Sequence, residues 1–466
     1  MTHRTRGRLA RPLHALCAQL AQADRLPCSD ILTEDRVGRA LEQEGVRWRD
    51  CLDTPLVTLA AFLWQVLSKD GSCRAAVARV LAWLAGAGQP PGTADTGPYC
   101  KARPRLPEGL LSRLARQTGP ELHRQAPLPW WWRGRRVKLV DGTTVSRPDT
   151  AANQEAYPQH NAPRPGLGFP LARLVVVFCL AVGTVLDAAL GRYQGKQSGA
   201  NALFRTLPEG LEPGDVVRAD RYSCSWWDIA RLERRGVDIV CRLHQLRKAD
   251  FRRGLRLGSG DHAVAWDRPA RPAWMDEAPY PGRPDLVVVR PVRVQVVQPG
   301  FRPRGLVGAT PLLEQSQVPA CARASLYRAR WHAALDLRSL KVALGMDVLR
   351  CLSPGMVRKE VWAHLLGDNL VRTVMAQAAQ QHGRLPRQVS FTGALQVVTA
   401  FADTLRRAER GELPALPAAL LAAVARHEVG NRPDRAEPRA RKRRPKHYPL
   451  LTRPRAEARK RLGRTG

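Results

Sequence analysis

The spacing of apolar positions changes twice along the chain, and each change marks a different kind of structure. From residue 1 to about 120 it is helical. Thr54-Pro55 opens a run with Leu56, Leu59, Ala60, Leu63, Val66 and Leu67 at helical intervals. Cys73 to Leu84 carries Ala76, Val77, Val80, Leu81 and Leu84 in the same way. A linker rich in Gly, Pro and Ala, Gly86 to Gly97, leads into a basic stretch from Tyr99 to Pro107. From about 135 the texture turns to strand: Val137–Val145, Arg173–Val182, Thr184–Ala189 and Val216–Asp220, then a helix over Trp226–Arg235 and a strand at Val237–Leu243. Strands joined by short turns, followed by strand, helix and strand, predict a mixed α/β sheet. Residues 247 to 318 are rich in Pro, Arg and Gly. Their one long strand candidate, Leu286 to Gln298, is interrupted by Pro291, which reads as a β-rich insertion. Helix returns at Leu326–Gly345, Met356–His382 and Thr392–Arg410.

Composition narrows the partner. The 466 residues suffice for two to four domains, and 44% hydrophobic content makes them globular. Against 41 acids stand 75 Lys and Arg, a net charge of +34 that attracts polyanions. An anionic membrane is the weaker choice. The longest nearly apolar run, Leu174 to Leu186, falls short of the roughly 20 residues of a spanning helix. Met1-Thr2-His3-Arg4 is basic without an adjoining apolar core, so no signal peptide is read and a cytoplasmic location is expected. The segment from Asn431 to Gly466 holds 14 Lys and Arg, 3 acids and five prolines, and predicts a mobile arm gaining affinity by counterion release. Ten scattered cysteines include no Cys-x-x-Cys pair and no zinc spacing, and read as small hydrophobes.

The chemistry is carried by acids in unexpected places. Asp141 lies in an apolar run, Val137 to Val145, where an isolated charge costs several kcal/mol unless a metal or a cation offsets it. Asp220 closes a second strand, Val216 to Asp220. Two strand-borne carboxylates in a basic chain suggest a Mg²⁺ site working on nucleic acid. Further on, Tyr327, Arg330, Ala334 and Lys341 fall within roughly 60° of one another at about 100° per residue. Such a stripe binds phosphate, or is simply a solvated basic face. Arg221 either contacts phosphate or pairs with an acid. The cluster Trp130-Trp131-Trp132 reads as a hydrophobic clamp rather than a base-stacking site, His332 and His364 as ordinary helix residues, and Lys196-Gln197-Ser198-Gly199 as a turn.

From about 45 to its C-terminus the chain resembles the DDE transposases of bacterial insertion sequences, specifically the insertion-sequence-four group. The marks are Asp141-Gly142-Thr143-Thr144, Ala219-Asp220-Arg221-Tyr222, a Tyr-x2-Arg-x3-Glu-x6-Lys signature beginning at Tyr327, Met346 to Arg350, and Pro354 to Glu360. The resemblance implies a ribonuclease-H-like mixed sheet flanked by helices. Its expected parts are a helical N-terminal DNA-binding domain (1–125), the first part of the catalytic domain (126–246), a β-rich insertion (247–318), the final catalytic part with the signature helix (319–382), C-terminal helices (383–430) and a basic disordered tail (431–466). It also implies Mg²⁺ or Mn²⁺ held by Asp141 and Asp220, with Tyr327, Arg330, Lys341, Arg221 and Arg338 against DNA. Trp266 or Trp274 in the insertion would stack an extruded base.

One piece does not map. The signature puts its third acid at Ala334, a methyl group. Asp336 lies two residues on, about 200° around the helix, and Glu360 belongs to a later block. Gly367-Asp368 stands where relatives carry an apolar-aromatic pair before Asn369-Leu370, and Thr310-Pro311 places a proline at a strand end that normally lacks one. The expected protein is a transposase of the bacterial cytoplasm, on the nucleoid. It would bind terminal inverted repeats and target DNA, as a homodimer on paired ends, with cleavage and strand transfer weakened or lost at Ala334. Two readings compete: a catalytically inactive, transposase-derived repressor that occupies element ends, and a general basic nucleic-acid-binding protein whose acids are structural.

Overall fold

A computed structural model describes residues 34–45, 54–86, 88, 92–161, 164–207, 210–275, 284–296, 304–313, 319–407, 415–430 and 451–461. Its principal helices are α1 (Glu34–Gln43), α2 (Pro55–Leu67), α3 (Cys73–Gly86), α4 (Glu108–Gln125), α5 (Trp226–Glu233), α6 (Ala320–Arg338), α7 (Pro354–Gln381), α8 (Phe391–Arg407) and α9 (Leu416–Arg426). The strands are β1 (Val137–Ser146), β2 (Leu171–Cys179), β3 (Val185–Arg192), β4 (Val216–Arg218), β5 (Asp238–Arg242), β6 (Leu255–Gly258), β7 (Asp261–Asp267), β8 (Leu286–Val296) and β9 (Arg304–Thr310). They form a mixed sheet in the order β3-β2-β1-β4-β5-β9-β8-β7-β6. The chain divides into two compact units, one drawn from 1–134, 177–188 and 335–429, the other from 135–176, 189–334 and 430–466.

The first unit is mostly helical. Thr54 caps α2, its Oγ1 accepting the Val57 N–H at 3.2 Å, with Pro55 in the first turn where no donor is needed. Leu59, Phe62, Leu110, Leu114 and Leu366 fill one core. The long helix α7 is pinned by Asn369. Its Nδ2 donates to the carbonyls of Ala115 (3.0 Å) and Val185 (2.9 Å), while its Oδ1 accepts the Val185 N–H at 2.7 Å. Here α4 passes so close to β3 that a Cβ on Gly119 would stand 1.8 Å from the Val185 carbonyl oxygen. Only glycine fits.

A buried charged cluster follows. Asp336 Oδ1 accepts from Arg372 at 2.9 Å and from Arg387 at 2.6 Å. Asp368 lies 3.7 Å from Arg372. Burial pushes the Asp368 carboxyl up to about 7, with Asp336 adding to the rise and Arg372 and Arg387 opposing it. The folded chain therefore binds a proton that the unfolded chain releases. This contribution to stability is full below about pH 4 and is lost as pH rises through about 7. Asp368→Asn is expected to flatten that loss in thermal melts between about pH 5 and about pH 8. An unchanged slope refutes it.

In the second unit β1, β4 and β5 run parallel, and β5 joins β9, β8, β7 and β6 through antiparallel pairs. The expected insertion is thus four strands continuing the sheet. Its anchor is Arg290, wholly buried, which forks onto both Asp261 oxygens at 2.7 Å and donates to the Leu313 carbonyl at 3.0 Å. Pro291 does not interrupt β8. It lies where the ladder to β7 keeps one register but leaves a gap between the pairs Asp261↔Val292 and Val264↔Val289, and it stays opposite Ala309 of β9. Thr310, before Pro311, is where β9 ends.

Two expectations need correction. The helix placed at Leu326–Gly345 begins at Ala320 and stops at Arg338. A π-helical turn, Ser339–Ala343, follows, with the Leu344 N–H reaching Ser339 O at 3.0 Å. Lys341 sits in that wider turn, so the 3.6-residue spacing that aligned it with Tyr327 and Arg330 does not reach it. The segment 431–466, read as a disordered tail, contains a short helix, Arg455–Arg461. Glu457 lies 3.9 Å from both Arg453 and Arg461, and a Cβ on Gly166 would come 3.1 Å from Pro454, so this stretch has partners. Residues 431–450 lie outside the described ones. Among the described residues no helix is long and apolar enough to cross a membrane.

Candidate active site

Strand register brings the two sequence-flagged acids together. In the parallel pair Val137 sits opposite Val216 and Leu139 opposite Arg218, the last pair of the ladder; Asp141 lies two residues further along β1, and Asp220 two residues beyond the end of β4. A buried ion pair fixes that register: Lys138 Nζ lies 2.6 Å from Asp215 Oδ2 and donates to the Gly210 carbonyl at 2.5 Å. Asp141 remains within β1, its Oδ1 accepting the Gly142 N–H at 2.9 Å. Asp220 lies past the end of β4 and opens a 3₁₀ turn, Arg221–Ser223. Brief, divergent strand ends at the carboxyl edge of a parallel sheet are where a cleft for ligands forms.

Electrostatics report the same proximity. Burial raises the Asp141 carboxyl above its ordinary range, and Asp220 adds to the rise. The Gly142 N–H, Arg330 and Arg218 pull it down. Arg330 and Tyr327 both come from α6. The Tyr327 ring lies under the Arg218 guanidinium at 4.6 Å. Arg218 is fully buried, donates to the carbonyls of Val240 (3.2 Å) and Ala219, and burial lowers its guanidinium to about 10. Thus Asp141, Asp220, Arg330, Tyr327 and Arg218 form one group. Arg221 turns aside to Gln245 Oε1 at 3.1 Å and pairs there with an amide, not an acid. Arg338 is exposed at the last turn of α6.

Ala334 is exposed on α6. Asp336 is buried and committed to Arg372 and Arg387. Glu360 is buried too, accepting the backbone N–H groups of Arg350 (3.0 Å) and Cys351 (2.9 Å). Among the described residues no three His, Cys, Asp or Glu side chains cluster as a metal site. Burial lowers His364 to about 3, making it a neutral core residue as read. In the insertion Trp266 carries Arg247 at 4.1 Å and Trp274 carries Arg205 at 3.8 Å, so each ring already has a cation on one face.

Sequence reasoning left Arg218, Lys138 and Asp215 without roles. Each had a signal: a cation in an apolar strand, or an acid just before one, must find its opposite.

Residues 132–370, a span holding Asp141, Asp220 and Ala334, match the sequence profile of the transposase DDE domain. The chain is 29% identical over 361 residues to the transposase InsG for insertion sequence element IS4 of Escherichia coli (strain K12), across 75% of this chain and 77% of that protein. Among solved structures it is similar to a piggyBac transposase synaptic complex with hairpin DNA, with a TM-score of 0.40 and 10% identity, over 89% of this chain and 85% of that one.

Proposed function

The chain belongs to the DDE transposases, of the IS4 type, and on that premise we propose that it binds the terminal inverted repeats of its element through a ribonuclease-H-like catalytic domain. Asp141 and Asp220 are its surviving metal ligands. The observation that carries this reading is the closeness of Asp141, within β1, to Asp220, just past the end of the neighbouring parallel strand β4, with Arg330 and Arg218 beside them.

The donor set fits a small hard cation. Two carboxylates supply oxygen only and leave positions for water and phosphate oxygens, the usual arrangement for Mg²⁺ or Mn²⁺. When bound, such an ion activates a water or 3′-hydroxyl and neutralises charge on the reacting phosphate. Asp141 and Asp220 would hold it jointly. Arg330 offers its guanidinium to a non-bridging phosphate oxygen. Tyr327 keeps Arg218 in place beneath the acids, and Arg221, Arg338 and Lys341 add phosphate contacts along the duplex. The chain acts as a dimer on paired ends and captures target DNA in the same cleft, on the bacterial nucleoid.

Phosphoryl transfer with two ions needs a further carboxylate, and Ala334 offers none. The exposed Ala334 methyl, with Asp336 and Glu360 bound elsewhere, favours a second reading: a copy that occupies ends and represses active relatives without cutting. Both readings require end-specific binding. A duplex carrying the element's terminal repeat is expected to outcompete a scrambled duplex by about 10³-fold or more at physiological salt. Equal affinity, with a steep salt dependence, would leave only a general basic binder.

A further inference from the structure

Tyr222 is 61% exposed, two residues after Asp220, on a turn that is otherwise tied down. The Ser223 N–H reaches Asp220 O at 3.0 Å and the Cys224 N–H reaches Arg221 O at 3.1 Å. Asn201 Nδ2 donates to the Tyr222 carbonyl, and the Ser223 hydroxyl donates to Asn201 Oδ1 at 2.9 Å. The backbone is therefore fixed while the ring stands in solvent. One neighbour supports it: His244 meets the ring edge-on, centroids 5.9 Å apart at 65°. Gln245, the next residue, holds Arg221. A large aromatic on a rigid turn, steadied by a second ring and flanked by a cation, is a platform for flat, electron-rich ligands attached to an anion.

We propose that Tyr222, backed by His244, stacks an unpaired nucleobase next to the phosphate held at Asp141 and Asp220. Two chain steps separate Tyr222 from Asp220, at most about 7.6 Å between Cα atoms, so the base belongs to a nucleotide adjoining the reacting one. Arg221 takes the intervening phosphate. The ligand class is a DNA end whose terminal pair is opened, not an intact duplex. The proposal rests on the reading that these acids face DNA, and it adds a specificity for distorted ends that the acids alone do not confer.

The test uses the full chain and a forked duplex with 2-aminopurine at the first unpaired position. Stacking on Tyr222 quenches the probe's fluorescence, and Tyr222→Phe retains both quenching and affinity. Tyr222→Ala loses the quenching and binds the fork more weakly by roughly five- to a hundredfold, while binding the fully paired duplex as the parent does. Unaltered quenching in Tyr222→Ala, or its loss in Tyr222→Phe, overturns the platform, the latter because it would assign the contact to the hydroxyl. Failure of the function reading looks different: discrimination between terminal-repeat and scrambled duplexes disappears whatever the probe at the fork reports.

Discussion

Replacing Ala334 by glutamate is expected to raise nicking of end-containing DNA by at least about a hundredfold over the parent chain. Losing a mere supporting contact to a metal ligand costs about 10–100-fold, and on the proposed reading a whole ligand is missing. The substitution is well placed. Ala334 is exposed on an unbroken helix, so a longer side chain meets no wall, and glutamate is a good helix former. Nothing nearby in sequence substitutes: Asp336 serves two arginines and Glu360 two backbone amides. Single-turnover nicking in Mg²⁺ and in Mn²⁺ reads the effect. Adding Asp141→Asn to the Ala334→Glu chain should abolish the gain. Equal nicking by the parent and the Ala334→Glu chain would mean that another acid had taken over the role.

Asp336→Ala should be the most damaging change in the helical unit, costing about 3–5 kcal/mol, because it strands buried positive charge. Asp336 is 1% exposed, and one of its oxygens serves both Arg372 (2.9 Å) and Arg387 (2.6 Å). Arg387 also donates to the carbonyls of Leu180 (2.7 Å) and Cys179 (2.8 Å), so it cannot swing out to water without breaking them. Arg372 has a fallback in Asp368, which would ionise more readily once its acidic neighbour is gone. Beside Asp336, the hydrogen-bond acceptors Arg387 holds are those two carbonyls, so the loss falls mainly there. Urea unfolding followed by circular dichroism measures it. A loss under about 1 kcal/mol, the range of an exposed pair, would show that the cluster is solvated.

Much of this was legible in the sequence because it depends on local spacing. Helices α2, α3 and α7 and strands β1 and β8 follow apolar periodicity and their Pro and Thr signals. Asp141 and Asp220 were legible for a related reason, since an acid among β-branched residues stands out whatever the fold. What escaped depends on contacts distant in sequence. Asp336 meets Arg387 across 51 positions and Lys138 meets Asp215 across 77, and no periodicity encodes such meetings. The π-helical turn at Ser339–Ala343 escaped because its residues suit an α-helix equally well, and that misplaced Lys341. Each compact unit is assembled from three separate stretches, a division that reading along the chain does not reveal.

Ala334 is exposed on its helix, so its exchange disturbs no packing. In the genetic code GCA and GCG become GAA and GAG by changing one base. If the Ala334 codon is GCA or GCG, a chain silenced there stands one base change from glutamate. On the reading that Ala334 silences cutting, such a change would return mobility without any repacking of the helix, and a genome carrying the gene would hold mobility in reserve.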